Sequence, residues 1–304
     1  MNLHSSRARS MIGLTAIVVT CVTAALTVPL IKTLKGQFSS EELLIVRSLF
    51  GFVGALIISR DAIRYDRKTI EAGIIVGLSS IAFYRAVQVW DVNPCMVIMA
   101  GLPLVNVAIA VYEGRKVSAL VIFSVFCLIA GVTIALEPWK QAMNWTGLWY
   151  MLACNIIGGI GFELWARLPE KVSVSDKCFW LSVPLIFMSL VVMFLTHQCP
   201  DMGKYLVPHT ALVVAFFGII GGVVYMYGTI VPFALIEVQT VCVLLQGTTP
   251  AAIIGAYFMA GESLSSRQWV GVIVAIIGTA ILSVWTAKTG KDQKVVLAES
   301  QPFE

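Results

Sequence analysis

The chain is 304 residues long, 58% hydrophobic and only 12% charged, with a mean hydropathy of +0.88. Soluble domains carry about 25% charged residues, and a water-exposed surface has to be covered with groups that water tolerates. These figures set aside a soluble enzyme or a nucleic-acid-binding domain and point to an all-α membrane protein with many spans. The net charge of +4 is small, so the placement of the charges matters more than their sum.

Arg7 and Arg9 precede a long apolar run that no small-residue cleavage site follows, which reads as an uncleaved first span. A transmembrane helix needs about 20 mostly apolar residues. Ten stretches qualify: 11–31, 42–60, 70–89, 94–112, 117–136, 146–166, 178–196, 210–231, 238–258 and 267–287. Residues 288–304 form a polar tail. Most of the seven cysteines sit inside apolar runs and read as packing residues. His197 and Cys199 share an outer loop, and a lone pair of that kind reads as a polar loop before it reads as a metal site. Asn144-Trp145-Thr146 is a formal glycosylation sequon on an outer loop.

Orientation follows from the basic residues. With the N-terminus in the cytoplasm, fourteen of the 21 Lys and Arg fall on the cytoplasmic side and five outside, while Arg47 and Arg85 lie within spans. Ten spans then return the C-terminus to the cytoplasm.

One stretch occurs twice. An offset of 147 overlays Cys95 on Cys242, Pro103 on Pro250, Gly114 on Gly261 and Ser118 on Ser265. It also overlays Val125 on Val272, Ile129 on Ile276, Gly131 on Gly278 and Ile134 on Ile281. An offset of 134 aligns Gly13-Leu14 with Gly147-Leu148 and Ser39 with Ser173. The chain therefore divides into 11–136 and 146–287, and five spans per half force the halves to insert in opposite senses. Inverted repeats are a common transporter plan, with the solute site near the midplane.

These residues are similar to the EamA type of the drug/metabolite transporter superfamily. The likeness rests on Pro103, Glu113-Gly114, Ser118 and Gly131 in the first half, and on Pro250, Gly261-Glu262, Ser265 and Gly278 in the second. The Glu-Gly order is reversed between the halves. The resemblance implies ten helices in two inverted five-helix EamA repeats with both termini cytoplasmic. It also implies a secondary transporter in the inner or plasma membrane. It does not name a solute.

Charges inside spans are expensive and mark candidate sites. Arg47 and Arg85 lie at similar depth below the outer edges of spans 2 and 3, and either recognise an anion together or snorkel to headgroups. Tyr84 beside Arg85 fits a polar, cavity-facing stretch, as does Gln88. Glu163 near the end of span 6 is either a proton-coupling carboxylate or an interfacial acid paired with Arg167. Glu237 suits the positive end of the helix that it opens. Asn106, Asn155 and Gln246 are neutral polar groups near mid-depth that need a partner or a pore. Tyr225 and Tyr227 could stack a ring or donate hydroxyls. Trp149, Tyr150, Trp180 and Trp285 read as interfacial belt residues. Pro103 and Pro250 should kink their spans. The pairs Gly73/Gly77 and Gly218/Gly222 should mark close helix contacts.

No catalytic motif, cofactor site or metal site is evident. The expected partners are a small solute and the lipid bilayer, with no nucleic acid; a homodimer is left open. The competing reading is an intramembrane lipid-modifying enzyme or a non-transporting assembly module. The three histidines, His4, His197 and His209, lie outside or at the edge of the spans, which counts against the enzyme.

Overall fold

In a medium without water every backbone N–H and C=O has to be satisfied within the chain, and helices do this segment by segment. The computed structural model is all-α, and it describes residues 6–34, 37–59, 62–90, 92–140, 142–169, 171–197, 202–260 and 264–289. Cys199, Gly261-Glu262 and the tail after 289 lie outside the described residues.

The helices are α1 (Ser6–Leu34), α2 (Ser40–Ile58), α3 (Arg67–Val89), α4 (Val92–Met99), α5 (Leu102–Tyr112), α6 (Ala119–Leu136) and α7 (Trp145–Ala166). They continue with α8 (Val174–Leu195), α9 (Pro208–Phe217), α10 (Tyr225–Leu235), α11 (Val238–Leu245), α12 (Thr248–Ala260) and α13 (Ser266–Thr289). Among the described residues, nine helical stretches are long and apolar enough to cross a membrane. The helix α2 is of similar length and carries Glu41, Glu42 and Arg47. Large apolar side chains such as Val18, Ile57, Phe126, Phe187 and Phe194 stand exposed around the bundle. With nine such stretches and an apolar outer face, the chain is a multi-pass membrane protein.

Three of the expected spans are not simple helices. The stretch 94–112 breaks at Ala100-Gly101 into α4 and α5, so Pro103 opens a new helix instead of kinking an old one. The stretch 238–258 breaks at Gln246-Gly247 into α11 and α12, with Pro250 in the first turn of α12. Proline tolerates a first turn because the N–H it lacks has no helical acceptor there. The stretch 210–231 runs from α9 through a π-helical segment, Gly218–Val224, into α10. Glycines make this wide turn a contact surface. A Cβ on Gly222 would lie 2.3 Å from the Arg47 carbonyl oxygen, and one on Gly218 would lie 2.3 Å from the Phe50 ring. Gly73 meets the Trp180 carbonyl in the same way, so α3 presses on α8 as the π segment presses on α2.

Caps set the helix ends. Ser39 with Glu42 and Ser173 with Asp176 form capping boxes at the starts of α2 and α8. The box at Ser39 starts α2 at Ser40, two residues before the expected boundary. Asn144 caps α7, and its amide nitrogen donates to the Val89 carbonyl at 2.8 Å, so the sequon asparagine is already engaged. The helix α5 ends in a Schellman turn: Gly114 N–H bonds the Val111 carbonyl and Arg115 N–H bonds the Ala110 carbonyl at 2.8 Å, with Gly114 at φ +71°. That turn folds Arg115 back over the bundle.

Packing follows a simple scheme. Helix α6 lies along α13, α3 against α7 and α8, α2 against α8, and α1 against α10 and α12. The α6–α13 crossing brings backbone to backbone, since a Cβ on Gly131 would sit 2.5 Å from the Ala275 nitrogen.

Candidate functional site

A cavity of about 140 Å³ lies inside the bundle. Every helix except α6, α11 and α13 lends it a side chain. The α4–α5 break borders it through Met99 and Leu102, and the α11–α12 break through Thr248.

Three of the nine candidate residues line this space: Arg47, Tyr84 and Tyr225. The Arg47 guanidinium sits 4.8 Å from the centre of the Tyr225 ring, and its buried Nε has no hydrogen-bond partner. Among the described residues no carboxylate pairs with Arg47. Tyr225 is held there by the π segment that precedes it.

Arg85 is placed differently. Its Nε pairs at 2.7 Å with Glu41, which is buried in the first turn of α2. The two arginines at similar depth thus divide: Arg85 has its counter-ion and Arg47 does not. Next to that pair, Glu42 bonds Lys204 at 2.7 Å and accepts from Tyr205 Oη at 3.3 Å. Gln88's side chain lies outside the described residues.

Asn106 and Asn155 act as struts between helices. Asn106 Nδ2 donates to the Gly159 carbonyl at 2.9 Å, and Asn155 Nδ2 donates to the Ile98 carbonyl at 2.6 Å. The second of these serves a carbonyl at the end of α4, where the helix break frees acceptors. Gln246 is buried at the α11–α12 break with its side-chain oxygen unpartnered. Tyr227 points away from the cavity, bonds Ser175 Oγ at 2.9 Å and lines an outer groove with Met11, Thr15 and Ile58.

Glu163 is the buried member of an ionic cluster that reaches the surface. It pairs with Arg115 at 2.9 Å and with Arg167 at 3.4 Å, and both arginines also reach Glu113. The Gln239 amide, with its nitrogen toward Glu237 and its oxygen toward Arg115, extends the cluster at 2.8 and 2.9 Å. The cluster ties α5, α7 and α11 together at one end of the bundle. Of the cavity-lining rings, Phe162 stacks on Phe233 behind it and Trp165 meets Phe233 edge-on. This end is therefore closed by an aromatic layer and a layer of charge.

Burial works against the ionised form of Glu113, but Arg167 and Arg115 outweigh it and hold the carboxyl below its ordinary range. Glu237 goes the other way: burial and nearby Glu163 push its carboxyl up, against the pull of Arg115. Three acids share two arginines here. A raised carboxyl favours the protonated fold, so ionised Glu237 costs stability as pH climbs above the ordinary 4.5. Glu237→Gln should therefore raise the thermal midpoint at neutral pH, with the gain shrinking below pH 4.5. Thermal unfolding in detergent across that pH range reads the effect; a lower midpoint for Glu237→Gln at neutral pH would contradict it.

Sequence reasoning did not find Glu41, Arg115, Gln239 or Trp165. The Ser39-Ser40-Glu41-Glu42 run was a visible signal for a capped helix start carrying acid. Nothing local marks the other three. Among the described residues no group of three His, Cys, Asp or Glu is placed to hold a metal ion.

No protein-family model and no curated protein matches the chain. Among solved structures, a crystal structure of a protein matches with a TM-score of 0.73 at 17% identity, covering 93% of this chain and 99% of that one. At that identity the match carries the fold alone: over 93% of its length the chain shares its arrangement of helices with an experimentally determined protein.

Proposed function

We propose that the chain is a secondary transporter of a small organic solute, anionic or zwitterionic. It works by alternating access as an exporter in the inner or plasma membrane. Its ten spans form two inverted five-span halves of the EamA type with both termini cytoplasmic.

The observation that carries this reading is the central cavity, bordered by two broken spans and holding a half-buried guanidinium that no carboxylate among the described residues pairs. Discontinuous helices flanking a midplane site are a recurring transporter arrangement. The repeat is supported by contacts that map onto each other. Gly131 abuts Gly271 and Ala275; at the offset of 147, Gly278 abuts Ser124 and Leu128. The capping serines Ser39 and Ser173 correspond at the offset of 134. The helix breaks fall within one residue of each other at the offset of 147: Ala100-Gly101 overlays Gly247-Thr248, and the second break is Gln246-Gly247.

The test begins with an untargeted metabolite comparison of cells with and without the protein. Counterflow of the accumulated solutes in proteoliposomes follows. Arg47→Gln should cut the initial rate at least about 10-fold, because a buried charge contact is worth more than that in affinity. Full flux in Arg47→Gln would remove Arg47 from the site, and no flux of any solute by the wild type would remove the transporter reading.

A further inference from the structure

We infer that the cavity takes a monoanion with a compact apolar body and rejects the matching zwitterion, an assignment that rests on the transport reading above. Among the described residues, Arg47 is the only charged one on the lining. The acids nearest to it in the chain are already committed, Glu41 to Arg85 and Glu42 to Lys204, each at 2.7 Å. A monoanion on Arg47 leaves the filled cavity neutral. A zwitterion leaves it with one net positive charge, and a dianion with one net negative charge. In a low-dielectric interior an uncompensated charge is strongly disfavoured.

The lining hydroxyls do not alter this count. Four of them, on Thr27, Ser79, Ser80 and Thr229, donate to backbone carbonyls, at 2.8, 2.9, 3.1 and 2.8 Å respectively, and the others are on Tyr84, Tyr225 and Thr248. They offer lone pairs to a neutral donor and no countercharge. Trp165 is 1% exposed, and its indole Nε1 has no partner, which adds a free neutral donor to the lining. Much of the remaining wall is apolar, with Met96, Met99, Phe83 and Phe162. The volume of about 140 Å³ is close to the roughly 150 Å³ of a cavity that holds benzene. A body of about six to ten non-hydrogen atoms follows from that comparison.

Three probes of near-equal shape separate the possibilities. 4-Methyl-2-oxopentanoate is the monoanion, leucine the zwitterion and 4-methyl-2-pentanone the uncharged analogue. Each is titrated against the thermal midpoint of the purified full chain in detergent. The oxo acid should act at a concentration at least about 100-fold below that of leucine, since an unpaired buried charge discriminates that strongly. The ketone should be weaker than the oxo acid, and Arg47→Gln should lose the preference for the anion. Leucine acting at an equal or lower concentration overturns the assignment, as does an unchanged response in Arg47→Gln. The wild-type series needs no substitution and stands if that variant does not fold. If none of the probes shifts the folded wild type, the charge-and-size assignment is wrong, while counterflow of other solutes still decides transport separately.

Discussion

Replacing Arg115 with methionine is expected to destabilise the fold by about 3 kcal/mol, because it strands the buried Glu163 carboxylate. Glu163 is 3% exposed, and its pair with Arg115 measures 2.9 Å. Arg167 remains at 3.4 Å but is half exposed, so it compensates only in part. The same change should unlock one end of the bundle. Cys242 is fully buried one turn into α11 from Gln239. In a background where it is the sole cysteine, a water-soluble maleimide should label it in Arg115→Met and not in the parent. Adding Glu163→Met should recover part of the lost stability without restoring protection, since removing both charges costs less than stranding one. An unchanged thermal midpoint together with no labelling would mean that this cluster does not hold the end shut.

The second large effect separates two glycines on one helix. A Cβ on Gly73 would lie 2.0 Å from the Trp180 carbonyl oxygen, and one on Gly77 would lie 2.7 Å from the Met188 methyl. The first obstacle is backbone held in α8; the second is the free end of a flexible side chain. Gly73→Ala should therefore cost at least about 3 kcal/mol and leave little monodisperse protein, while Gly77→Ala should stay within about 1 kcal/mol of wild type. Size-exclusion profiles and thermal midpoints of the two variants make the comparison. Equal behaviour would show that α3 and α8 are not locked at Gly73.

The contrast between those glycines also shows how far the sequence could be read. Four-residue spacing marked Gly73, Gly77, Gly218 and Gly222 as contact points, because small residues at one face have few other uses in an apolar helix. It could not rank them, since the rank depends on which atom of the neighbouring helix stands opposite. The helix count came from the length and apolarity of the runs, which are local properties. The breaks at Ala100-Gly101 and Gln246-Gly247 were not legible: Pro103 and Pro250 were visible, but a proline serves equally to bend a helix or to begin one. The π segment is decided by contact with α2, which no window of residues 210–231 contains.

The site divided along the same line. Arg47 and Arg85 were equivalent in sequence, each a lone cation near the same depth. What separates them is Glu41, 2.7 Å from Arg85 in space and far from it in the chain. Asn106 and Asn155 were visible as polar groups needing partners, and the partners turned out to be carbonyls of neighbouring helices. Long-range pairing of this kind is a property of the fold and is not written in any one stretch.

The crossing of α6 and α13 has a practical consequence. At Gly131 and Gly271 the two backbones touch, and neither helix lends a side chain to the cavity. Their backbones leave them no room to slide past each other. Phe126 and Ile273 face outward from this pair, so probes attached there supply a stationary origin from which displacements of the other helices can be measured.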